Sequence, residues 1–340
     1  MSGVTTAVPL IVYFRRIKSR YFDSLNMEYM GMILLVCLIF ASYCLSAITS
    51  RLLIADGKAA ERYIEFVDGQ MKVNEALVVI DERYRGVVRL AIEAHEKYKF
   101  KNGIVYFNNN DGEAHSDALH DNRIYYTAFS SKQAKYYKDH SGPDFSCNAW
   151  PSAYIFSFVD ETKRIMEASL KKPKTQKVGW IGNVQMGHNR GRLIGFTHEH
   201  PDYFDFRHLA GDKIKPESPE YVSIPQLVVN NTFLLDIQGQ GYSGRLKYLL
   251  YSNRPLFYVE RDFVEYFNDE LRPMVHYIPI KNDLSNLLQQ YKWASENPDK
   301  AKEIASNALS YAQENLVHDK FVDRLAKTFQ ILLEANSTKA

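Results

Sequence analysis

Apolar residues recur at helical spacing before residue 100, and this spacing predicts a helical region over residues 51–100. The positions that carry it are Leu77, Ile80, Tyr84, Val87, Val88, Ala91 and His95. Two compact runs of β-branched and aromatic residues follow, at 103–107 and 124–129, and each predicts a strand. The first run leads into Asn-Asn-Asn-Asp-Gly, a sequence typical of a turn.

The second half of the chain alternates between extended and helical patterns. A helix is predicted at 161–170, and the basic, proline-broken connector 171–174 separates it from a strand at 178–182. Further segments are predicted in chain order: extended at 203–209, extended without a helix at 226–237, helical at 245–251, extended at 255–259 and 275–280, and helical at 284–296 and 298–334. This alternation favours an α/β fold with parallel sheets.

An uncharged run near the N-terminus predicts a membrane anchor. No charged residue lies between Glu28 and Arg51, and a helix over 29–50 would be long enough to cross the hydrocarbon core of a bilayer. Four basic residues precede the run within 15–20, so the positive-inside rule predicts a cytoplasmic N-terminus and a catalytic part on the other side. A cleaved signal peptide and a buried core helix are the alternatives. The expected location is the Golgi or endoplasmic reticulum in a eukaryote and the inner membrane in a bacterium.

Composition narrows the class of protein only slightly. The chain has 340 residues, 46% hydrophobic and 24% charged, which is ordinary for a folded globular protein. A net charge of +2 gives no argument for a nucleic-acid partner. Two of the three cysteines, Cys37 and Cys44, lie in the apolar run, which leaves Cys147 alone and excludes a disulfide scaffold.

A glycine-rich turn at 239–244 leads into Arg245 and an amphipathic run. Such a turn lets backbone N–H groups approach a phosphate, and the following helix N-terminus favours negative charge. An arginine at this place can form two parallel hydrogen bonds to phosphate oxygens. The pattern therefore indicates a site for a nucleotide-sugar diphosphate; a structural glycine turn with a surface arginine is the alternative.

The context of this turn resembles the C-terminal half of glycosyltransferase family 90, which includes protein O-glucosyl- and xylosyltransferases, capsule-associated xylosyltransferases and bacterial lipopolysaccharide-modifying enzymes. The matching positions are Gly239, Ser243, Arg245, Leu246, Lys247 and Leu249, then Glu265-Tyr266-Phe267, then the Leu-x-Pro-x-x-His-Tyr-x-Pro pattern from Leu271 to Pro279, and Asp283-Leu284-Ser285. The resemblance covers roughly residues 75–330 and is dense from 178.

The resemblance implies two Rossmann-like lobes that face a cleft, the glycosyltransferase-B arrangement. With the anchor at 29–50 and a cytoplasmic segment at 1–28, it places an acceptor-side lobe at 51–172, a nucleotide-sugar-binding lobe at 173–330 and a tail at 331–340. The implied reaction transfers a hexosyl or pentosyl unit, glucose or xylose, from a UDP-sugar co-substrate to a hydroxyl of a glycan, lipopolysaccharide or protein. No metal and no further cofactor are expected.

Transfer needs a base for the acceptor hydroxyl, and Asp111 is the candidate. It follows the strand at 103–107, and a carboxylate at a strand's carboxyl end points into the cleft of an open α/β sheet. An ordinary turn-forming aspartate is the alternative. The family has a strand of the type Phe-x-Ile-Asn-x-Arg-Asp here, followed by an aromatic segment, and the order matches in this chain.

The donor diphosphate is assigned to Arg245, helped by Ser243 and the backbone N–H groups of Gly241 to Gly244. The resemblance adds Gly182 and Arg190 from a second block, and Gly239 from the turn. Glu265 stands where a carboxylate accepts ribose hydroxyls in nucleotide-sugar folds. Ile181 and Gln238 replace polar or charged residues of the family pattern.

Two rival functions are considered. The departures at Ile181 and Gln238 favour one of them, and a pair of catalytic carboxylates would be needed for the other. The first is a degenerate transferase-like domain that binds a glycan or a partner protein without catalysis. The second is a glycosidase, which would need a second carboxylate in a comparable motif. A metal site at His198-Glu199-His200 is rejected, because residues two apart share no helix face.

Overall fold

The computed structural model describes residues 62–108, 124–131, 137–187 and 189–337. The predicted anchor at 29–50 lies outside these ranges. Within them, we find no helix that combines the length and the hydropathy needed to cross a bilayer. All of these residues belong to one compact unit of the chain.

The first described elements are strands β1 (Tyr63–Val67) and β2 (Gln70–Val73), so the prediction of a continuous helical region from 51 to 100 is wrong for this part. They form an antiparallel hairpin through Asp68 and Gly69, whose φ angles are 51° and 75°. Two successive residues of positive φ are the conformation of a type I′ turn, which the Asp-Gly pair favours.

The predicted helical residues of this region form α1 (Glu75–Ile80) and α2 (Glu82–Tyr98). Asp81 separates the two helices and caps the second, because its carboxylate accepts the backbone N–H groups of Arg83 and Tyr84 at 3.0 and 3.2 Å. The predicted strands that follow are confirmed as β3 (Gly103–Asn108) and β4 (Tyr125–Thr127). In the described part of the chain the sheet order is β2-β1-β3-β4.

This first sheet is mixed rather than parallel. β1 is antiparallel to both β2 and β3, and the pairing of β3 with β4 is parallel. The resemblance implied a Rossmann-like first lobe, whereas the described strands give it an antiparallel hairpin edge. A short segment then leads through β5 (Ser130–Ser131), α3 (Tyr137–His140) and two 3-10 turns to α4 (Phe158–Ser169).

The second sheet confirms the prediction of parallel α/β structure. Its strands among the described residues are β6 (Thr175–Gly182), β7 (Phe204–His208), β8 (Asn231–Asp236), β9 (Leu256–Val259) and β11 (Ile278–Ile280). They pair in the order β11-β9-β8-β6-β7, all in parallel. The central strands are nearly continuous apolar runs, since helices cover both faces of such a sheet. β10 (Phe263–Val264) pairs with β5 instead.

Helices α5 (Arg190–Glu199), α6 (Ile224–Asn230) and α7 (Leu246–Leu249) connect these strands. α6 corrects the prediction of a helix-free segment at 226–237. Its start carries a capping box between Ser223 and Gln226, and Pro225 stands in the first turn. α4 packs against α6, so it lies beside the second sheet.

The C-terminal part is helical as predicted, with α8 (Leu287–Glu296), α9 (Pro298–Asn315) and α10 (His318–Ser337). The segment predicted as one helix over 298–334 is two helices, because residues 316 and 317 interrupt it. α8 begins later than predicted, because Leu284 has a φ of 63° and interrupts the helical backbone. α10 packs against α2 and β3, so the last helix covers the first sheet.

The strand order places a crevice beside β6. From β6 the chain moves outward to β7 and then returns to β8 on the other side of β6. In an open α/β sheet the connections diverge at such a point, and ligands bind there, outside the carboxyl ends of the strands. The carboxyl ends concerned are Gly182 and Asp236.

Candidate active site

A cavity of about 660 Å³ opens at this crevice. Its lining includes Gly182 and Arg245, which the sequence assigned to the donor, together with Trp150, Tyr154, Leu209 and Tyr221 from the surrounding segments. A mostly apolar cavity with a few polar groups is the usual form of a small-molecule site. The cavity therefore lies at the place where the sheet topology expects a ligand.

Arg245 directly precedes α7 and turns its guanidinium toward the end of β6. Its Nη1 donates a hydrogen bond to the carbonyl oxygen of Ile181 at 2.7 Å. Burial lowers the pKa of Arg245, while the nearby Asp236 raises it. No described carboxylate lies within the 4.0 Å of an ion pair with Arg245, and the ion-pair partner of Asp236 is Arg261, at 2.7 Å.

Arg190, the first residue of α5, is buried beside it. It donates hydrogen bonds to the carbonyl oxygens of Gln238 at 2.8 Å, Asn183 at 3.2 Å and Ile237 at 3.2 Å. Burial and the repulsion from Arg245 lower the pKa of Arg190 to about 10. Within the described ranges it also lacks a carboxylate at ion-pairing distance. Two neighbouring cations, of which Arg245 lines the cavity, raise the positive potential at the crevice and so favour an anion there.

The absence of a side chain at Gly182 lets the Trp180 ring and the guanidinium of Arg245 lie close to the end of β6. A Cβ at this position would lie 2.8 Å from the Trp180 ring and 3.4 Å from Nη2 of Arg245. The loops on the two sides of the crevice also approach closely, since a Cβ on Gly187 would lie 3.1 Å from the carbonyl oxygens of Gln238 and Gly239.

We expect the Gly182→Ala variant to bind a UDP-sugar about tenfold more weakly and to lose about 1–3 kcal/mol of unfolding free energy, because the added Cβ would displace the Trp180 ring and crowd the guanidinium of Arg245. Isothermal titration and urea unfolding measure the two effects. Gly191→Ala on α5 is the matched control, since a Cβ there meets no atom within 4 Å. Equal donor affinity in both variants would contradict the expectation.

Hydrogen bonds within the protein hold the glycine-rich turn in place. The N–H of Gly239 donates to the carbonyl oxygen of Tyr242 at 3.0 Å, and Gly241 is buried. The hydroxyl of Ser243 donates to Asp236 Oδ1 at 2.6 Å, and Asp236 Oδ2 pairs with Arg261 at 2.7 Å. α7 is only one helical turn long, so its dipole adds little to phosphate binding. The structure thus gives Ser243 a partner inside the protein and leaves Arg245 facing the cavity.

Glu265 lies in a buried ionic cluster with Lys247 and Asp144. Lys247 Nζ is 2.8 Å from Glu265 and 3.2 Å from Asp144, and the side chain of Lys247 is 0% exposed. Burial raises the pKa of Glu265 to about 8, against the attraction of Lys247. Burial alone would lower the pKa of Lys247, but the two carboxylates raise it. Glu265 does not line the cavity.

This cluster ties the segment before α4 to the turn that carries Arg245. Lys247 Nζ also donates to Ser146 Oγ at 2.9 Å and to the Gly244 carbonyl at 3.0 Å. The hydroxyl of Tyr242 donates to Asp144 Oδ2 at 2.5 Å. Neither Asp144 nor Lys247 is predicted as a site residue from the sequence, although Lys247 belongs to the family motif. A single lysine inside the leucine-rich segment 246–250 was the available signal.

Of the residues predicted from the sequence, the structure brings Gly182, Arg190, Gly239 and Arg245 together at the crevice. Ser243 and Glu265 support the turn from behind. Asp111 lies outside the described residues. The described residues contain no group of three or more His, Cys, Asp or Glu that could hold a metal ion.

The comparisons with known proteins agree with these motifs. The family model for glycosyl transferase family 90 matches residues 115–336, which is more than half of the chain. The chain belongs to glycosyltransferase family 90. The match includes the crevice arginines and Glu265 but begins after Asp111.

Relatives of this family 90 chain include protein O-glucosyltransferase 2 of Danio rerio, which is 35% identical over 107 residues, covering 32% of this chain and 21% of the relative. Human protein O-glucosyltransferase 1 is 31% identical over 110 residues, 32% of this chain and 28% of the relative. Protein O-glucosyltransferase 3 of Rattus norvegicus is 37% identical over 150 residues, which cover 40% of this chain and 29% of the relative. Each match thus spans less than a third of the relative's length.

Solved structures with some likeness to the chain include Anabaena HepE in complex with UDP-glucose, with 13% identity, a TM-score of 0.32 and coverage of 49% of this chain and 44% of that one. A glycosyltransferase from Rickettsia africae has 11% identity and a TM-score of 0.32, and the match covers 52% of this chain and 44% of that one.

Proposed function

We propose that this family 90 protein transfers a glycosyl unit from a UDP-sugar to an acceptor hydroxyl. The observation that carries the proposal is the pair of arginines, Arg190 and Arg245, that lack a described counter-carboxylate at the switch point of a parallel sheet. A diphosphate would supply the missing negative charge, and its charge grows as the sugar leaves.

In this mechanism Arg245 binds the diphosphate through a bidentate fork, and Arg190 adds positive potential from behind the crevice. The guanidinium of Arg245 is held by the Ile181 carbonyl at 2.7 Å, so it needs little reorganisation when the donor binds. We propose that these two cations neutralise the negative charge of the diphosphate without the help of a metal ion. Glucose or xylose is the proposed sugar, in keeping with the O-glucosyltransferase names of the relatives.

Asp111 is the proposed base, which takes the proton of the acceptor hydroxyl as that oxygen attacks the sugar carbon. Its support is its place in the sequence, three residues after Asn108, the last residue of β3. We further propose that the acceptor is a glycan, lipopolysaccharide or protein, and that the uncharged run at 29–50 anchors the protein in a membrane.

The test is UDP release by the full chain in detergent, across UDP-glucose, UDP-xylose and UDP-galactose. We expect turnover with glucose or xylose, and a loss of at least about 100-fold in kcat for Asp111→Asn with donor affinity unchanged. Asp121→Asn is the matched control from the same segment of the chain. If the Asp111→Asn variant turns over at the wild-type rate, Asp111 is not the base of the reaction.

The rival proposal is a domain that binds a nucleotide sugar without turnover. It is favoured by Gln238, whose Oε1 is buried and without a hydrogen bond in the described structure. Ile181 weakens that rival, because its carbonyl, rather than its side chain, holds Arg245. Donor binding without UDP release under every acceptor would support the rival.

A further inference from the structure

The cavity contains an ion pair that the proposed chemistry does not use. Glu161 and Arg164 stand one turn apart on α4 and both line the cavity. The side chain of Glu161 is 5% exposed, whereas that of Arg164 is 60% exposed. Glu161 is thus a buried carboxylate in the wall of a ligand-sized cavity. Among the described residues that line this cavity, no other is an aspartate or a glutamate.

The carboxylate of Glu161 has acceptor capacity to spare. Its Oε2 accepts a hydrogen bond from Arg164 Nη1 at 2.8 Å, and Oε1 accepts none from the described residues. Burial raises the pKa of Glu161 above its ordinary value, and the attraction of Arg164 opposes this rise without cancelling it. An ionised carboxylate accepts hydrogen bonds at both oxygens. A ligand with hydroxyl donors would therefore satisfy the second oxygen.

The surroundings of Glu161 suit a sugar. Tyr154 and Tyr221 line the same cavity with their rings edge to face and 6.0 Å apart, and Trp150 and Leu209 add apolar surface. In such pockets a few placed polar groups fix the orientation of the ligand. Glu265, to which the sequence assigned the hydroxyls of the ribose, is instead 2% exposed and paired with Lys247.

We propose that Glu161 binds a vicinal diol of the nucleotide sugar, accepting a hydrogen bond from one hydroxyl at each of its carboxylate oxygens, with Arg164 holding the carboxylate in place. The inference rests on the proposed function, since it assumes that the cavity holds a UDP-sugar. The diol belongs either to the ribose or to the sugar that is transferred, and the two sources give different results below.

The experiment is isothermal titration of the full chain in detergent with UDP, 2′-deoxy-UDP and UDP-glucose. We expect Glu161→Gln to bind UDP-glucose about tenfold or more weakly, as for hydrogen bonds to a charged group. If the diol is that of the ribose, UDP weakens equally, and wild type but not the variant discriminates against 2′-deoxy-UDP. If it is that of the transferred sugar, UDP binds both proteins alike.

Glu167→Gln is the matched control, because Glu167 is exposed on the same helix and outside this cavity. Unchanged UDP-glucose affinity in Glu161→Gln, together with lost affinity in Arg245→Ala, overturns this inference and leaves the proposed function in place. Absence of UDP-glucose binding by wild type overturns the proposed function itself.

A comparison on wild type alone covers the case in which Glu161→Gln fails to fold, which thermal unfolding detects. UDP is compared with 2′-deoxy-UDP, and UDP-glucose with its 2-deoxyglucose analogue. A tenfold loss in one pair supports the proposal, and equal affinities in both pairs overturn it.

Discussion

The Arg245→Ala variant is expected to bind UDP roughly 100-fold more weakly than wild type, as estimated from two charge-assisted hydrogen bonds of about 1.5 kcal/mol each. The variant should unfold at the same urea concentration as wild type or a higher one. Arg245 has one described hydrogen bond, to the Ile181 carbonyl, and no described carboxylate at ion-pairing distance. Its removal therefore relieves an uncompensated positive charge while it removes the diphosphate ligand.

Arg192→Ala is the matched control for this result. Arg192 stands two residues after Arg190 on α5 but is exposed, so its loss changes the net charge equally and leaves the crevice intact. Titration with UDP at two salt concentrations separates the two variants, because an exposed charge acts only through a screened field. Equal UDP affinity in Arg245→Ala and wild type would show that the diphosphate binds elsewhere.

Lys247→Met should destabilise the protein by about 3–5 kcal/mol, because it removes the cation from between two buried carboxylates, Asp144 and Glu265. Relative to wild type, the loss should grow as the pH rises above about 8, because Glu265 can ionise there in the folded wild type and not in the variant. Burial already raises the pKa of Glu265 to about 8, and without Lys247 it rises further. A group whose pKa is higher in the folded state stabilises that state when protonated, and this stability is lost as the pH rises through the folded-state pKa.

Urea unfolding below and above about pH 8 measures both effects. Lys163→Met, at an exposed position of α4, is the control and should change the unfolding free energy by less than about 0.5 kcal/mol. The double variant Lys247→Met, Glu265→Gln should recover part of the loss and flatten its pH dependence. A Lys247→Met protein as stable as wild type at about pH 8 would contradict the assignment of the cluster.

Local patterns predicted the strands of the second sheet, because each is a short apolar run between turn signals, but of the helices that connect them only α7 was predicted. The same logic missed the hairpin at Asp68 and Gly69, although an Asp-Gly pair between alternating apolar residues is a strong hairpin signal. It was missed because helical spacing downstream of residue 77 was extended backward. α6 was missed in a similar way, since Ser223, Pro225 and Gln226 mark a helix start that the neighbouring strand pattern concealed.

The site shows a different limit. The family motifs placed Arg190 and Arg245 at the donor site, and the structure puts both beside the crevice, while their roles stay predictions. Glu265 and Ser243 carry the same chemical groups as ligand-binding residues, yet their partners are Lys247 and Asp236 inside the protein. Which way a carboxylate faces depends on contacts between segments more than 100 residues apart, such as Asp144 and Lys247, and spacing along the chain does not encode them.

The final helix has a consequence for how the protein is made. α10 supplies Phe329, which packs against Phe66, Phe107 and Tyr126 of the first sheet, and Asn336 binds the backbone of Ile124. On the ribosome the first sheet therefore emerges long before the helix that shields its apolar face. Its apolar face stays uncovered until residues 318–337 have been synthesised, so the first sheet cannot complete its packing in the order of translation.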